Sequence, residues 1–527
     1  MNRVLAPAVA RDAVGRETDR KANLILLGLA SLYFLVEWLP GIRGAYGYFI
    51  DEFYYLACAS HLAPGYVDHP PLSVFLLWAV RAVIGDSLPA LRLVPALAGA
   101  ATIGLIGLIA RRLGAGWQGQ ALAAGAAMAG TIYHITFSFY SMNALSVLLW
   151  TACFWVLVEI ELRNEPRLWV LFGVLAGLGL ENKHTFVLLP LGLAAGLLLT
   201  RARRHLASRW LWLGCAITAA LLLPNLAWQA SHGWPSLEFY RNADLYKNIP
   251  TPPLVVLAYQ FLVMNPGAIP VWIAGLGFFL VSKRGRQLRH LGWIYVALLG
   301  LMLIGQKSRP DRIAEAYVVL FAGGGAMLSA LWERAGYRWL RWAVPATLVL
   351  GGVALAPLGL PLLPPPQAAR YAGRLGIVPQ IEKGESKRTE LPQWLADRLG
   401  WERLADDVEA VAREIRPEER ARAIILAPSY GQGGAIELLG RGRGLPPVYA
   451  VQNSYSHWGP PPDSADVAIV LGPFSAETVH RLYGEAVVAR VHDCEGCMRW
   501  RDEVPIWLAR SPKVALRDAW PKLKYYE

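Results

Sequence analysis

Tyr46-Gly47-Tyr48-Phe49-Ile50-Asp51-Glu52-Phe53-Tyr54-Tyr55 follows the first long apolar run of the chain, and Tyr66-Val67-Asp68-His69-Pro70-Pro71-Leu72 comes shortly after it. Tyrosines at such a place fit an aromatic belt at a membrane–water boundary. Adjacent carboxylates do not, because acidic groups at that depth are expensive and mark function. Whether the preceding run is a membrane span therefore decides the reading, and composition answers. The 527 residues are 55% hydrophobic and only 17% charged, where a soluble protein carries about 25%. Repeated apolar runs of about 20 residues point to a polytopic α-helical membrane protein. The 21 tryptophans fit interfacial rings. A formal charge of +12 invites a nucleic-acid partner, but the arginines cluster in short loops between apolar runs. That is the positive-inside pattern, and nucleic acid is set aside.

Outward from the acidic stretch, residues 1–22 read as a polar, basic, cytoplasmic tail, and residues 23–364 as the membrane part. The first span runs from about Ala22 to Leu39, and residues 41–89 form the first outer loop with both acidic motifs. Leu72 to Ile84 is too short to span and is expected to be re-entrant or juxtamembrane. Further spans are read at about Leu91–Ala110, Ala121–Phe137, Ala144–Ile160, a pair within 168–200, Leu211–Ala227, Leu254–Val281, Leu291–Gly305, Ala316–Leu331 and Trp342–Leu360. That makes about eleven, each near the length a bilayer requires. The densest basic loops, such as Arg201 to Arg209 and Lys283 to Arg289, fall on one side of this threading. The N-terminus is then inside and everything after about residue 365 outside.

Residues 365–527 change character and read as a small extracytoplasmic α/β domain. Trp394 to Ile415 has helical periodicity; Ala423–Ala427, Val467–Leu471 and Val487–Ala489 read as strands, and Ala435–Leu439 as a helix. Tyr430-Gly431-Gln432-Gly433-Gly434 between them lacks the residues of a phosphate-binding loop and reads as a tight turn. Cys494 and Cys497 form a C-x-x-C, weak evidence for zinc without a second ligand pair. In an oxidising compartment a local disulfide fits better.

Asp51-Glu52-Phe53-Tyr54-Tyr55, Asp68-His69-Pro70-Pro71-Leu72 and Leu91-Arg92-Leu93 together resemble the GT-C glycosyltransferases, in particular the protein-mannosyltransferase and aminoarabinose-transferase type of family 39. Glu181-Asn182-Lys183-His184-Thr185, Pro224 to Gln229, His232-Gly233-Trp234-Pro235-Ser236 and, in the tail, Tyr430-Gly431, Asn453-Ser454-Tyr455 and Trp520 to Lys524 extend the likeness over nearly the whole chain. The resemblance implies a multi-pass enzyme of the bacterial inner membrane with its C-terminal domain in the periplasm. It implies a polyprenyl-phosphate sugar donor, inversion at the anomeric carbon, and a cell-envelope acceptor that is a lipid, a glycan or a protein.

Inverting transfer needs a carboxylate opposite the leaving group. Asp51 is the candidate base, with Glu52 and Asp68 beside it; Tyr54, Tyr55, Asn143, His184 and Trp234 are candidates for substrate contact. The departing phosphate needs positive charge, for which His69, Lys183, Lys307, Arg309 and Arg312 are candidates. By family analogy Glu52 or Asp68 with His232 would hold a divalent metal, zinc, manganese or magnesium. Asn143 stands where many relatives carry a second acid, which shifts weight to Asp51. Plainer readings compete: Asp51-Glu52 as a helix cap, Lys183 and His184 as snorkelling residues, His232 as a loop histidine. A lipid or sugar transporter and a non-catalytic envelope assembly protein are the rival functions.

Overall fold

The computed structural model describes residues 5–43, 45–305, 309–377, 382–384 and 389–527. The membrane part opens with α1 (Leu5–Arg43), α2 (Ile50–Ser60), α3 (Leu72–Ile84), α4 (Leu88–Arg112), α5 (Trp117–Met128), α6 (Thr131–Phe137) and α7 (Met142–Arg163). It continues with α8 (Leu168–Asn182), α9 (Leu188–Leu198), α10 (Arg209–Ser231), α11 (Pro235–Asn242), α12 (Pro253–Leu262), α13 (Ile269–Leu280), α14 (Arg289–Gly305), α15 (Tyr317–Trp332) and α16 (Leu340–Gly359).

Among the described residues seven helices are long and apolar enough to cross a membrane, or nine when two sharply bent pairs each count as one span. The bends have chemical causes. Pro266 cannot continue α12, and the Asn265 side chain accepts the Gly267 N–H to cap the next turn, so the expected run 254–281 bends by 86°. The expected span 121–137 is likewise broken, between α5 and α6 at Gly130. The first half of the 168–200 pair, α8, is a 15-residue helix. Helix α1 begins well before the expected Ala22, inside the stretch read as a tail. Close packing inside the bundle uses glycine: any Cβ at Gly275 of α13 would collide with the Leu320 carbonyl of α15.

After α16 come α17 (Pro365–Leu375), α18 (Gln393–Ala396) and α19 (Trp401–Arg413), then a five-stranded mixed sheet ordered β2-β1-β3-β5-β4. Its strands are β1 (Ala423–Ala427), β2 (Val448–Ala450), β3 (Val467–Leu471), β4 (Tyr483–His492) and β5 (Val504–Pro512). Strands β2, β1 and β3 are parallel; β5 runs against both β3 and β4. The fully buried apolar runs of β1 and β3 are what a covered parallel centre requires. Helices α20 (Tyr430–Leu439), α21 (Ala476–Leu482) and α22 (Leu516–Leu523) complete this part. The stretch from Tyr430, expected as a turn, is thus the first turn of α20, capped by the Ser429 hydroxyl. Cys494 and Cys497 are joined in a disulfide.

The sheet layer does not stand apart from the acidic helix. Phe53, Tyr54 and Leu56 of α2 share one core with Ile425, Ile469 and Leu508 of the sheet. A Cβ on Gly434 of α20 would lie 2.8 Å from the Phe53 carbonyl oxygen, so glycine here lets two helices touch through their backbones. Helix α2 is therefore clamped between the bundle and the sheet layer.

Candidate active site

Helix α2 begins at Ile50, which puts Asp51 and Glu52 in its first turn, where the helix dipole favours negative charge. The two carboxylates have different surroundings. Glu52 is wholly buried, and its oxygens accept from the Phe49 N–H at 2.8 Å, the Tyr140 N–H at 2.9 Å and the Arg92 guanidinium at 3.0 and 3.2 Å. Arg92, from α4, also donates to the carbonyls of Gly41 and Gly47. Glu52 thus ties the turn before α7, the start of α2 and helix α4 into one buried knot. Both of its oxygens are engaged within the protein.

Asp51 points the other way and keeps partial access to solvent. Its Oδ1 accepts the Tyr430 phenol at 3.0 Å, from the first residue of α20. Burial pushes its carboxyl up to about 7, against Lys247 and the Tyr430 hydrogen bond, which both favour the anion. Such a carboxyl changes charge near neutrality, which suits a proton acceptor.

Asp68 accepts the Tyr54 phenol at 2.7 Å, and Tyr54 is backed by the Ser454 hydroxyl at 2.8 Å. Both site carboxylates thus receive a phenol that the C-terminal layer provides or supports. His69 is buried, with its ring stacked on Tyr55 at 4.7 Å and tilted against Tyr66 at 5.0 Å. Its Nδ1 lies 3.0 Å from the Pro70 carbonyl, which only accepts, so the ring hydrogen sits there. Nε2 is left buried with no hydrogen-bond partner among the described residues, 4.0 Å from Asp68 Oδ1. Two acceptors facing each other call for a donor between them, an added proton on His69 or a ligand hydroxyl.

The cations divide into paired and available. Lys183 is spent on Glu315 at 3.0 Å. Arg309 lies against Asp311 at 2.6 and 3.1 Å; Asp311, with Glu382 and Asp51 adding, raises its basicity. Arg312 is half-buried and its guanidinium makes no hydrogen bond or ion pair among the described residues. Tyr240, whose phenol is pushed up to about 12 chiefly by burial, is opposed in this by Arg312 and reinforced by Asp68. Lys307 lies outside the described residues. Lys247, which sequence reasoning missed, pairs with Glu382 at 3.0 Å; burial opposes its charge, but Glu382, Asp51 and Glu527 outweigh it and raise its pKa. It sits in a single π-helical turn, Ala243–Lys247, a distortion frequent at functional sites.

The other candidates are more peripheral. Tyr55 accepts the Met142 N–H at 3.2 Å and offers its ring to His69. Asn143 folds back on the cap residue Ser141 at 3.2 Å, and His184 meets the Tyr240 hydroxyl at 3.2 Å. Trp234 is exposed, at the start of α11. His232 is exposed, stacked on Trp228 at 4.2 Å with Nδ1 on the Trp228 carbonyl at 2.9 Å. Among the described residues no group of three His, Cys, Asp or Glu side chains could hold a metal. The expected set of Glu52, Asp68 and His232 is not brought together, because Glu52 is consumed by Arg92 and His232 turns to the surface.

A signal for Arg92 did exist, since an arginine inside an apolar run needs a buried partner. Tyr430, Ser454 and Lys247 carry no such mark.

Residues 68–228 match the family model described as dolichyl-phosphate-mannose-protein mannosyltransferase. No curated protein matches the chain. Among solved structures, ArnT from Cupriavidus metallidurans bound to undecaprenyl phosphate is similar at TM-score 0.58 and 15% identity, over 96% of this chain and 99% of that one. The oligosaccharyltransferase AglB from Archaeoglobus fulgidus, in complex with an inhibitory peptide and a dolichol phosphate, is similar at 0.51 and 12%, over 81% of this chain and 64% of that one. The arabinofuranosyltransferase AftD from Mycobacteria reaches 0.51 and 15%, over 94% of this chain and 40% of that one. In architecture, this chain has the GT-C fold of membrane glycosyltransferases.

Proposed function

We propose that the protein is a membrane glycosyltransferase that moves a sugar from a polyprenyl-phosphate carrier to a cell-envelope acceptor, with Asp51 as general base. The observation that carries this is Asp51 itself, a partly exposed carboxylate titrating near neutrality, held by one phenol and set among cations. Asp51 takes the proton of the acceptor hydroxyl as its oxygen bonds to the anomeric carbon. The carbon–oxygen bond to phosphate breaks on the opposite face, with inversion, and the polyprenyl phosphate leaves with the electron pair. The Arg312 guanidinium suits that developing charge, with His69 as the second candidate to face it. Tyr54 fixes Asp68, whose remaining oxygen is open to a sugar hydroxyl. No step is routed through a metal, since the acidic residues present do not converge on one.

The dense basic loops support an orientation with the N-terminus in the cytoplasm and residues 365–527 in the periplasm of a bacterial inner membrane. A reporter fused at Glu527 tests it: cytoplasmic reporter activity there reverses the threading. Function is tested by reconstitution with a radiolabelled polyprenyl-phosphate sugar and membrane acceptors, comparing the natural protein with Asp51→Asn. Undiminished transfer by the variant removes Asp51 as the base. Saturable flux across proteoliposomes without transfer replaces the reading by a transporter.

A further inference from the structure

Helices α1 and α4 leave between them a groove of about 740 Å³ that the catalytic reading does not use. Helix α1 lines it with Leu27, Ala30, Ser31 and Phe34, and α4 with Leu97, Ala101, Gly104 and Leu108. The groove is open beside Gly104, where an added Cβ would meet nothing within 4 Å. It opens outward, since only 22% of an 18-residue apolar stretch within Arg20–Ile42 is buried by the rest of the protein. Its wall on α1 runs from Asn23 to Leu35. At 1.5 Å per residue that is about 18 Å, close to half of a hydrocarbon core of roughly 30 Å.

One end of the groove is basic. Arg20 and Lys21, with Leu24 and Ile25, line a second depression next to it. Lys21 is fixed over the Trp117 ring at 4.3 Å. Asn23, at the mouth, accepts from Arg111 of α4 at 2.6 Å. The other end is shut by Phe34, whose ring stacks on Trp38 at 5.8 Å. An open apolar trough about one leaflet deep with a cationic mouth matches one molecule in shape and charge.

We infer that the α1–α4 groove is a binding site for an anionic glycerophospholipid of the leaflet at the basic end, one acyl chain in the groove and the phosphate at Arg20 and Lys21. The lipid completes the packing of a span that the rest of the protein covers sparsely and fixes α1, whose far end leads into the Asp51 helix. Both charge complementarity and chain length favour this occupant over a helix from a second copy, which would need no cationic mouth.

The test is native mass spectrometry of the full chain, delipidated and then exposed to vesicles of phosphatidylglycerol or of phosphatidylcholine. The natural protein should retain phosphatidylglycerol at least tenfold more than phosphatidylcholine. Gly104→Leu, which fills open space, should abolish retention while leaving the melting temperature unchanged, and Ala101→Phe serves as a second filling variant. Lys21→Glu should reduce phosphatidylglycerol several-fold without altering phosphatidylcholine. Equal retention of the two lipids, or full retention by both filled variants, overturns the proposal. So does a filled variant that changes the oligomeric state, or undecaprenyl phosphate displacing phosphatidylglycerol at equal concentration.

Discussion

Asp51 and Glu52 are neighbours in one helical turn, yet the knot around Glu52 and the pocket around Asp51 are opposite solutions to placing a carboxylate near a membrane. Glu52 is dry and saturated: a guanidinium and two backbone N–H groups occupy its oxygens. Asp51 has one neutral donor, a cation at longer range, and an opening. Saturation makes a carboxylate a structural tie, whereas incomplete satisfaction leaves it free to exchange a proton. Burial alone would have ranked Glu52 as the more functional residue; counting its partners reverses that order.

The sharpest way to break the comparison is to neutralise each acid in turn. Asp51→Asn should lower transfer by about 10²–10⁴-fold, the range of general-base catalysis, with no loss of thermal stability in detergent. Arg92→Met should do the reverse. It strands Glu52 as an uncompensated buried charge, expected to cost about 3–5 kcal/mol, read as a large fall in melting temperature, with activity lost only in step with folded protein. If Asp51→Asn unfolds the protein while Arg92→Met leaves it stable, the assignment of roles is wrong.

The pocket also has a pH signature. As a base, Asp51 works when deprotonated, so activity should rise with pH through about 7. Tyr430→Phe removes a hydrogen bond that favours the anion, so the acid limb should move to higher pH by about 1–2 units, the equivalent of a bond worth about 1.5–3 kcal/mol. Lys247→Met removes a second favourable influence and should shift the limb the same way. Asp68→Asn removes a like charge and should shift it down. A pH profile that none of these variants moves would falsify Asp51 as the titrating group.

Much of this architecture could be read before the structure. Apolar runs marked out most of the long apolar helices, and the all-apolar pentads 423–427 and 467–471 emerged as strands with the expected bounds. The features that escaped share one cause. Strand β2 has three residues and β5 carries prolines at its second and last positions, so neither has a clean local pattern that stands out. The span-like run 121–137 is apolar throughout, and its break at Gly130 is set by backbone contacts of Thr131 and Ile132 with Met264 and Val263, far along the chain. The partners that separate Asp51 from Glu52 are more remote still: Arg92 lies 40 residues from Glu52, and Tyr430 lies 379 residues from Asp51. Periodicity reports which face is buried, not which atom waits there.

The smallest expected effect comes from a pair that joins the same two layers in the open. Arg441, just past α20, donates to Asp86, between α3 and α4, at 2.6 Å, and both side chains are substantially exposed. The carboxyl of Asp86 is held below its usual range chiefly by the Arg441 hydrogen bond. It is nonetheless a surface bridge, where solvent screening and side-chain entropy leave about 0–1 kcal/mol. Arg441→Ala should therefore move the melting temperature by little and leave the pH profile of transfer in place, because the docking of α20 on α2 rests on the Gly434 contact and the shared apolar core. A substantial loss would mean that the sheet layer is held over Asp51 by its rim, and that the Tyr430 bond is a consequence of that docking and not part of what sets it.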